Sequence, residues 1–387
     1  MLTTTQLSRR RLLALSASVT GALALSRPVS SAFAAENAAN ATMVAPTSLR
    51  PIRINFNENA LGMSTKAIDA ARAAVTQANR YAKAEISQLS RRLAEFSGVG
   101  SGQILLTAGS SEGIRATIEA FAGSDVQLVI PELTYGDGEH FAAISGLKIA
   151  KVAMAEHWSF DIEAMKKTVA DYPGRSIVYL VNPNNPTATI TPSDLIEPWI
   201  NDRPARALFI VDEAYAEFVN DKRYRSALPM IQNGADNLIV LKTFSKIYAM
   251  AGMRIGYLLA DERIVKRVAN YVAGEKLNFP GVCAALAAID DHDFVDYSKR
   301  ATDLARTLFT DALDRLGIDY LPSQANFVFH RVKGDLADFQ RHMNEANILV
   351  GRSFPPADGW CRTSLGTVDE MRYVVETLNA FRQKGWI

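Results

Sequence analysis

From residue 65 to about 270 the chain alternates short apolar runs with longer stretches of helical periodicity. The runs at 104–106, 126–130, 177–181, 208–211, 238–241 and 255–259 are rich in Val, Ile and Leu. They are too short for helices and read as buried strands. Between them, segments such as 113–121 and 162–172 repeat apolar residues at helical spacing. Strands separated by helices predict an α/β fold with a mainly parallel central sheet, helices on both faces. From about Phe279 the texture shifts. Helical patterns at 283–288, 297–316, 336–346 and 368–384 surround short strands near 326–330 and 360–364, which predicts a smaller α+β domain. The expected division is a large domain over 61–275 and a small C-terminal domain over 276–387, preceded by an arm at 35–60.

The N-terminus has a different pattern. Residues 1–35 contain no Asp or Glu, and four arginines: Arg9, Arg10, Arg11 and Arg27. The apolar run from Leu12 to Leu25 fills the whole helical circumference rather than one stripe, and a membrane-spanning helix needs about 20 residues. A basic start, a short apolar stretch and Ala32-Phe33-Ala34 describe an export signal cut after Ala34, so residues 1–34 read as a signal peptide. Ser8-Arg9-Arg10-Arg11-Leu12-Leu13 resembles a twin-arginine signal, which implies export of a folded protein by the twin-arginine machinery to the periplasm or beyond, without stable membrane insertion.

The composition of the 387 residues adds exclusions. With 48% hydrophobic and 21% charged residues the chain has the apolar mass of a folded enzyme rather than of a disordered segment. The formal charge of +1 gives no basic field for nucleic acid, and loss of residues 1–34 shifts it to −3. Five histidines without ligand spacing give no metal site, and two cysteines no disulfide framework.

Polar side chains cluster just after the predicted strands, where ligands of such sheets bind. Lys246 follows a strand in Lys242-Thr-Phe-Ser-Lys, with Thr243, Ser245 and Arg254 nearby. An amine held in a site forms Schiff bases with carbonyls, and two hydroxyls with an arginine make a phosphate clamp; a surface lysine is the plainer alternative. Asp212 ends the strand 208–211, so it is a helix cap or the partner of a buried cation, with Tyr215 three residues on. Asn185 sits in a turn fixed by Pro183 and Pro186. Gly109, Ser110 and Ser111 open a helix, where free amides cap the chain or cradle an anion. Tyr135 packs in a loop or stacks on a ring. Arg362, in an otherwise small and apolar strand, needs an anion: an acidic side chain or a substrate carboxylate.

Taken in order, Asn55-Phe-Asn-Glu-Asn, Ala108-Gly-Ser-Ser-Glu-Gly, Asn182-Pro-Asn-Asn-Pro-Thr, Val211-Asp-Glu-Ala-Tyr, Thr243-Phe-Ser-Lys, Gly252-Met-Arg-Ile-Gly and Cys361-Arg-Thr-Ser-Leu-Gly resemble the fold-type I, class I/II aminotransferases that use pyridoxal 5'-phosphate, and within them the histidinol-phosphate aminotransferase-like group. The resemblance spans residues 50 to 385. It implies that Lys246 forms the Schiff base with the cofactor and carries the proton. Asp212 would hold the pyridine nitrogen, Tyr215 and Asn185 the ring oxygen, and Tyr135 the ring face. Ser110, Ser111, Ser245 and Arg254 would bind the phosphate, joined across a homodimer interface by Tyr81. Arg362 would bind the substrate α-carboxylate, with Asn57 and Asn59 on an arm lining the substrate mouth and Asn59 a substrate-binding residue. The implied activity is transfer of an amino group between an amino acid, or an amino-acid moiety of an exported metabolite, and a 2-oxo acid; a racemase, lyase or amine-oxidising enzyme is the alternative on the same fold. The chain departs from the pattern at Ala188, where glycine is usual, and at Ala60, where proline is usual. An export signal argues against histidinol phosphate as the substrate, since histidine biosynthesis is cytosolic.

Overall fold

The computed structural model describes residues 45–387; the expected signal peptide and cleavage site lie outside them. A seven-stranded sheet is built from β2 (Ile104–Thr107), β3 (Val126–Pro131), β4 (Lys148–Val152), β5 (Arg175–Val181), β6 (Ala207–Asp212), β7 (Leu238–Thr243) and β8 (Gly256–Ala260). Their order is β2-β8-β7-β6-β5-β3-β4, and only β8 runs antiparallel to its neighbours. The mainly parallel α/β sheet read from the sequence is thus present. A parallel sheet is buried on both faces, which is why its strands are continuous apolar runs.

Strand β5 shows how the two faces are filled. Val178 and Leu180 point into one core with Phe209, Val211 and Val240. Ile177, Tyr179 and Val181 point into the other with Ile210, Ile239 and Leu258. The period of two sends alternate side chains to opposite faces. The first core is closed by α1 (Thr65–Val75), α2 (Lys83–Ser97) and α6 (Ser193–Asn201). The second is closed by α3 (Ser110–Phe121), α4 (Asp137–Ile144) and α8 (Glu262–Ala269). Helices α5 (Ile162–Asp171) and α7 (Leu228–Gln232) complete this part. Strand β4, not expected from the pattern, is the sheet edge, and its lysines blunt that edge.

Helix α9 (Phe279–Ala288) brings Val282, Ala284, Ala285 and Ala288 into the first core. Asn278 caps it, its Oδ1 accepting the Gly281 N–H at 2.6 Å. The change of core therefore falls after α9, whereas the sequence texture places it at 276. A separate core unites α10 (His292–Leu316), α11 (Leu336–Glu345) and α12 (Val368–Gln383) with β9 (Phe327–Arg331) and β11 (Trp360–Ser364). Strands β9 and β11 pair antiparallel. The arm joins this second core: Ile52 and Ile54 are buried in it, and β1 (Ile52–Arg53) pairs with β10 (Ile348–Leu349). Among the described residues no helix is long and apolar enough to cross a membrane.

Candidate active site

A cavity of about 620 Å³ lies at the C-terminal ends of the parallel strands, between the sheet, the arm and the β11 segment. That is the size of a small-molecule site. Each wall can be built from the chain.

At one end, β2 turns into α3 through Gly109, whose φ of +84° is left-handed. A Cβ there would lie 2.4 Å from Arg254 Nη2, so only glycine lets this guanidinium come so close. Gly256 on β8 plays the matching part, since a Cβ on it would fall 2.7 Å from the Gly109 carbonyl carbon and 2.8 Å from Ser110 N. Arg254 donates to the carbonyl oxygens of Ala251 (3.0 Å) and Ala108 (3.2 Å) and pairs with no acidic side chain among the described residues. Ser110, Ser111, Thr243 and Ser245 line the same end. An unpaired guanidinium, hydroxyls and the N-terminus of a 12-residue helix form an anion cradle.

Deeper in, Asp212 ends β6 and is 2% exposed. Its Oδ2 accepts from the Tyr179 hydroxyl (3.1 Å) and its Oδ1 from Ala214 N–H (3.1 Å). No cationic side chain forms a salt bridge with it among the described residues. Burial consequently pushes its carboxyl up to about 6, against the pull of those two hydrogen bonds. A carboxylate buried on neutral donors alone is the partner a protonated ring nitrogen requires.

Lys246 leaves β7 and turns its Nζ to the Asn57 carbonyl oxygen at 3.2 Å, 5.4 Å from the centre of the Tyr215 ring. Tyr215 is buried against Phe327, and its hydroxyl accepts from Asn57 Nδ2 at 3.1 Å. Tyr135 lines the wall, its hydroxyl 3.5 Å from Ser111 Oγ. Burial raises its phenol above the ordinary value.

Arg362 comes from the second core. It is 9% exposed, between the faces of Phe354 (4.9 Å) and Phe327 (5.7 Å). It donates to Asn185 Oδ1 at 2.6 Å and to the Asn55 carbonyl oxygen at 2.8 Å, and its Nε has no partner. No acidic side chain pairs with it among the described residues. Burial lowers its proton affinity. Of the alternatives open in the sequence, an internal ion pair is absent among the described residues, leaving a buried cation that lines the cavity.

The cavity thus gathers Ser110, Ser111, Tyr135, Asn185, Asp212, Tyr215, Ser245, Lys246, Arg254 and Arg362, as the sequence anticipates. Asn59 lies outside this group. Its amide donates to the carbonyls of Lys246 and Ile247 and to Ser298 Oγ, and its Oδ1 accepts Leu61 N–H. With these bonds made it fastens the Lys246 turn and is not among the residues that line the cavity. Tyr81 is 72% exposed and does not line the cavity of its own chain. Ala188 keeps the left-handed backbone of the usual glycine (φ 59°) because its methyl packs in a small core with Tyr215, Ile247 and Phe327. Both cysteines are free, and burial pushes the Cys361 thiol up to about 12. The sequence reading missed Arg352, Phe354 and Gln340, which line the mouth, and Tyr179 beneath Asp212. A second arginine ten residues before Arg362 and a lone tyrosine in the buried run of β5 were the available signals.

The donor set fits pyridoxal 5'-phosphate: an anion cradle, an acid lacking its cation, and an amine between them. Residues 51–378 match the family model described as aminotransferase class I and II. A histidinol-phosphate aminotransferase from Symbiobacterium thermophilum is 32% identical over 338 residues, 86% of this chain and 91% of the relative. A crystal structure from Erwinia carotovora atroseptica, provisionally described as a histidinol-phosphate aminotransferase, superposes with a TM-score of 0.88 at 61% identity, covering 89% of this chain and 99% of the other. The histidinol-phosphate aminotransferase of Sinorhizobium meliloti, solved in complex with pyridoxal 5'-phosphate, superposes at 0.77 with 26% identity, covering 86% and 91%. The cavity and these likenesses together place the chain in the class I and II aminotransferases, enzymes that depend on pyridoxal 5'-phosphate.

Proposed function

We propose that the protein moves an amino group between an amino acid, gripped by its α-carboxylate, and a 2-oxo acid. The observation that carries this reading is Arg362: a buried guanidinium with no acidic partner among the described residues, opening on the same cavity as Lys246 and Asp212. The Lys246 amine then covers the substrate's α-carbon and lifts its proton, while Arg362 fixes the carboxylate and so the face presented. Arg254, Ser110, Ser111 and Ser245 hold the cofactor phosphate. Asp212 keeps the ring nitrogen charged, and Tyr215 and Asn185 attend the ring oxygen. The bound cofactor supplies an electron sink for the bonds at the α-carbon.

The relatives' names make histidinol phosphate one substrate to test, and Arg352 at the mouth is a second cation for an acidic group. Export through residues 1–34 instead favours an amino acid or the amino-acid moiety of an exported metabolite. The exposed side chains of Phe56, Val75 and Tyr81 support a homodimer in which Tyr81 reaches the neighbouring cavity.

The test is a half-reaction on the loaded protein with α-amino acids and histidinol phosphate. Conversion of the cofactor band to its amine form is the expected result, with one carbonyl product released per site: a 2-oxo acid from an α-amino acid, a ketone from histidinol phosphate. Racemised product, elimination, or oxygen uptake without that conversion overturns transamination. Fusion of residues 1–40 to a reporter, with Arg9 and Arg10 changed to Lys, tests the route: export lost in the variant is expected, and export unchanged refutes it.

A further inference from the structure

Asn57 has an unusual position. It is 1% exposed, has a left-handed backbone (φ 55°) and lines the cavity. Asparagine tolerates this conformation better than other L-residues, but it still needs fixing by its surroundings. Every polar group of the residue is engaged. Its N–H donates to Ser364 Oγ at 2.8 Å, and Ser364 Oγ donates back to its Oδ1 at 3.0 Å. Its carbonyl accepts from Lys246 Nζ (3.2 Å) and Asn326 Nδ2 (3.1 Å). Its Nδ2 donates to the Tyr215 hydroxyl (3.1 Å).

We propose that Asn57 is a positioning residue for the reaction: its carbonyl parks the Lys246 amine, and its amide fixes the direction in which the Tyr215 hydroxyl donates. The amide can only donate, so the hydroxyl oxygen accepts from it and the phenolic proton is turned elsewhere. The open direction is the cavity, where Tyr215 lines the wall beside Asp212. The carbonyl is uncharged, so it holds the amine by a hydrogen bond and not by an ion pair. Asn326 holds the same carbonyl oxygen from the second core, so the acceptor stays in place when Lys246 leaves it. Asn57 thus sets the two groups closest to the reacting atoms, and it does so from the arm. The inference rests on the roles given above to Lys246 and Tyr215.

The test uses N57D, N57G and Y215F in the loaded, full chain. Asn57→Asp keeps shape and left-handed tolerance but replaces the donor by an acceptor, which recaptures the Tyr215 proton. Asn57→Gly keeps the backbone and its carbonyl without strain and deletes the donor. We expect kcat to fall up to about tenfold in N57G, the upper end of the weight of one neutral hydrogen bond, and further in N57D, with KM within about threefold. The pH midpoint of the cofactor's visible band should move by about one unit in N57D, and cofactor affinity of the empty protein should weaken. In the double variant N57G/Y215F the glycine substitution should have no further effect on that midpoint, because its object is gone. Midpoints and kcat unchanged in N57D and N57G, or full additivity with Y215F, overturn the proposal. If K246A and Y215F also leave the band and the activity intact, the reading of the site itself fails.

Discussion

Arg362→Lys is the sharpest probe of substrate recognition. A guanidinium has five N–H donors in a fixed fork. Here one is spent on Asn185 Oδ1 and one on the Asn55 carbonyl, leaving three, the unpartnered Nε among them. Three donors suffice for a bidentate grip on a carboxylate. Lysine keeps the charge but has three donors in all, and the same two acceptors claim two of them. One is left for the substrate, so the variant loses one charge-assisted bond, worth about 1.5–3 kcal/mol, or about 10- to 150-fold in kcat/KM. The assay compares an α-amino acid with the amine that lacks its carboxylate, both followed by conversion of the cofactor band. The amino acid should lose its advantage in R362K while the amine is nearly unaffected. Equal discrimination in R362K and wild type would refute the reasoning.

Asp212→Asn should raise the thermal stability of the cofactor-free protein at pH 8, by up to about 3 kcal/mol, while weakening cofactor binding; calorimetry with and without the cofactor reads both. The sign follows from the raised carboxyl: the folded chain holds the proton more tightly than the unfolded one, so the empty protein loses stability as pH rises from 3.8 to about 6. His330 works oppositely. Buried between the Arg331 carbonyl and Thr363 Oγ1, it is pushed down to about 4, so its stabilisation is lost as pH falls from 6.5. The two slopes oppose each other between pH 4 and 6, so H330N and D212N should tilt the denaturant midpoint against pH in opposite directions. Gly256→Ala drives a methyl into the Gly109–Ser110 backbone, and the cofactor dissociation constant measured by fluorescence should rise at least about tenfold.

The sheet was legible because parallel strands are buried on both faces and so stand out as apolar runs. Strand β4 was not, since Lys148 and Lys151 break its pattern at the edge. Helix α9 shows the limit of texture: its alanines say helix but not which core receives them, and that is decided by packing against α1 and α2. In the site, residues beside glycine loops and strand ends could be read one by one. Arg352, Phe354 and Gln340 could not, because nothing local marks which part of the second core overhangs the cavity. The place of Asn59, outside the cavity lining, was illegible for the same reason. Its sequence neighbours point to the mouth, but its partners are 187 and 239 residues away.

The arm also bears on when the enzyme can become competent. Strand β1 finds its partner at Ile348, and the Asn57 N–H finds its own 307 residues along, at Ser364. Closing a loop of that length is slow and entropically costly, and it must wait for the distant segment to be synthesised. A chain made only as far as residue 347 therefore contains every strand of the large sheet and Lys246 but neither the partner of β1 nor Arg362. Cofactor capture in a finished cavity follows translation. A product truncated before β11 lacks both the substrate clamp and the residue that secures Asn57, so the contacts that hold the lysine are complete only when the chain nearly is.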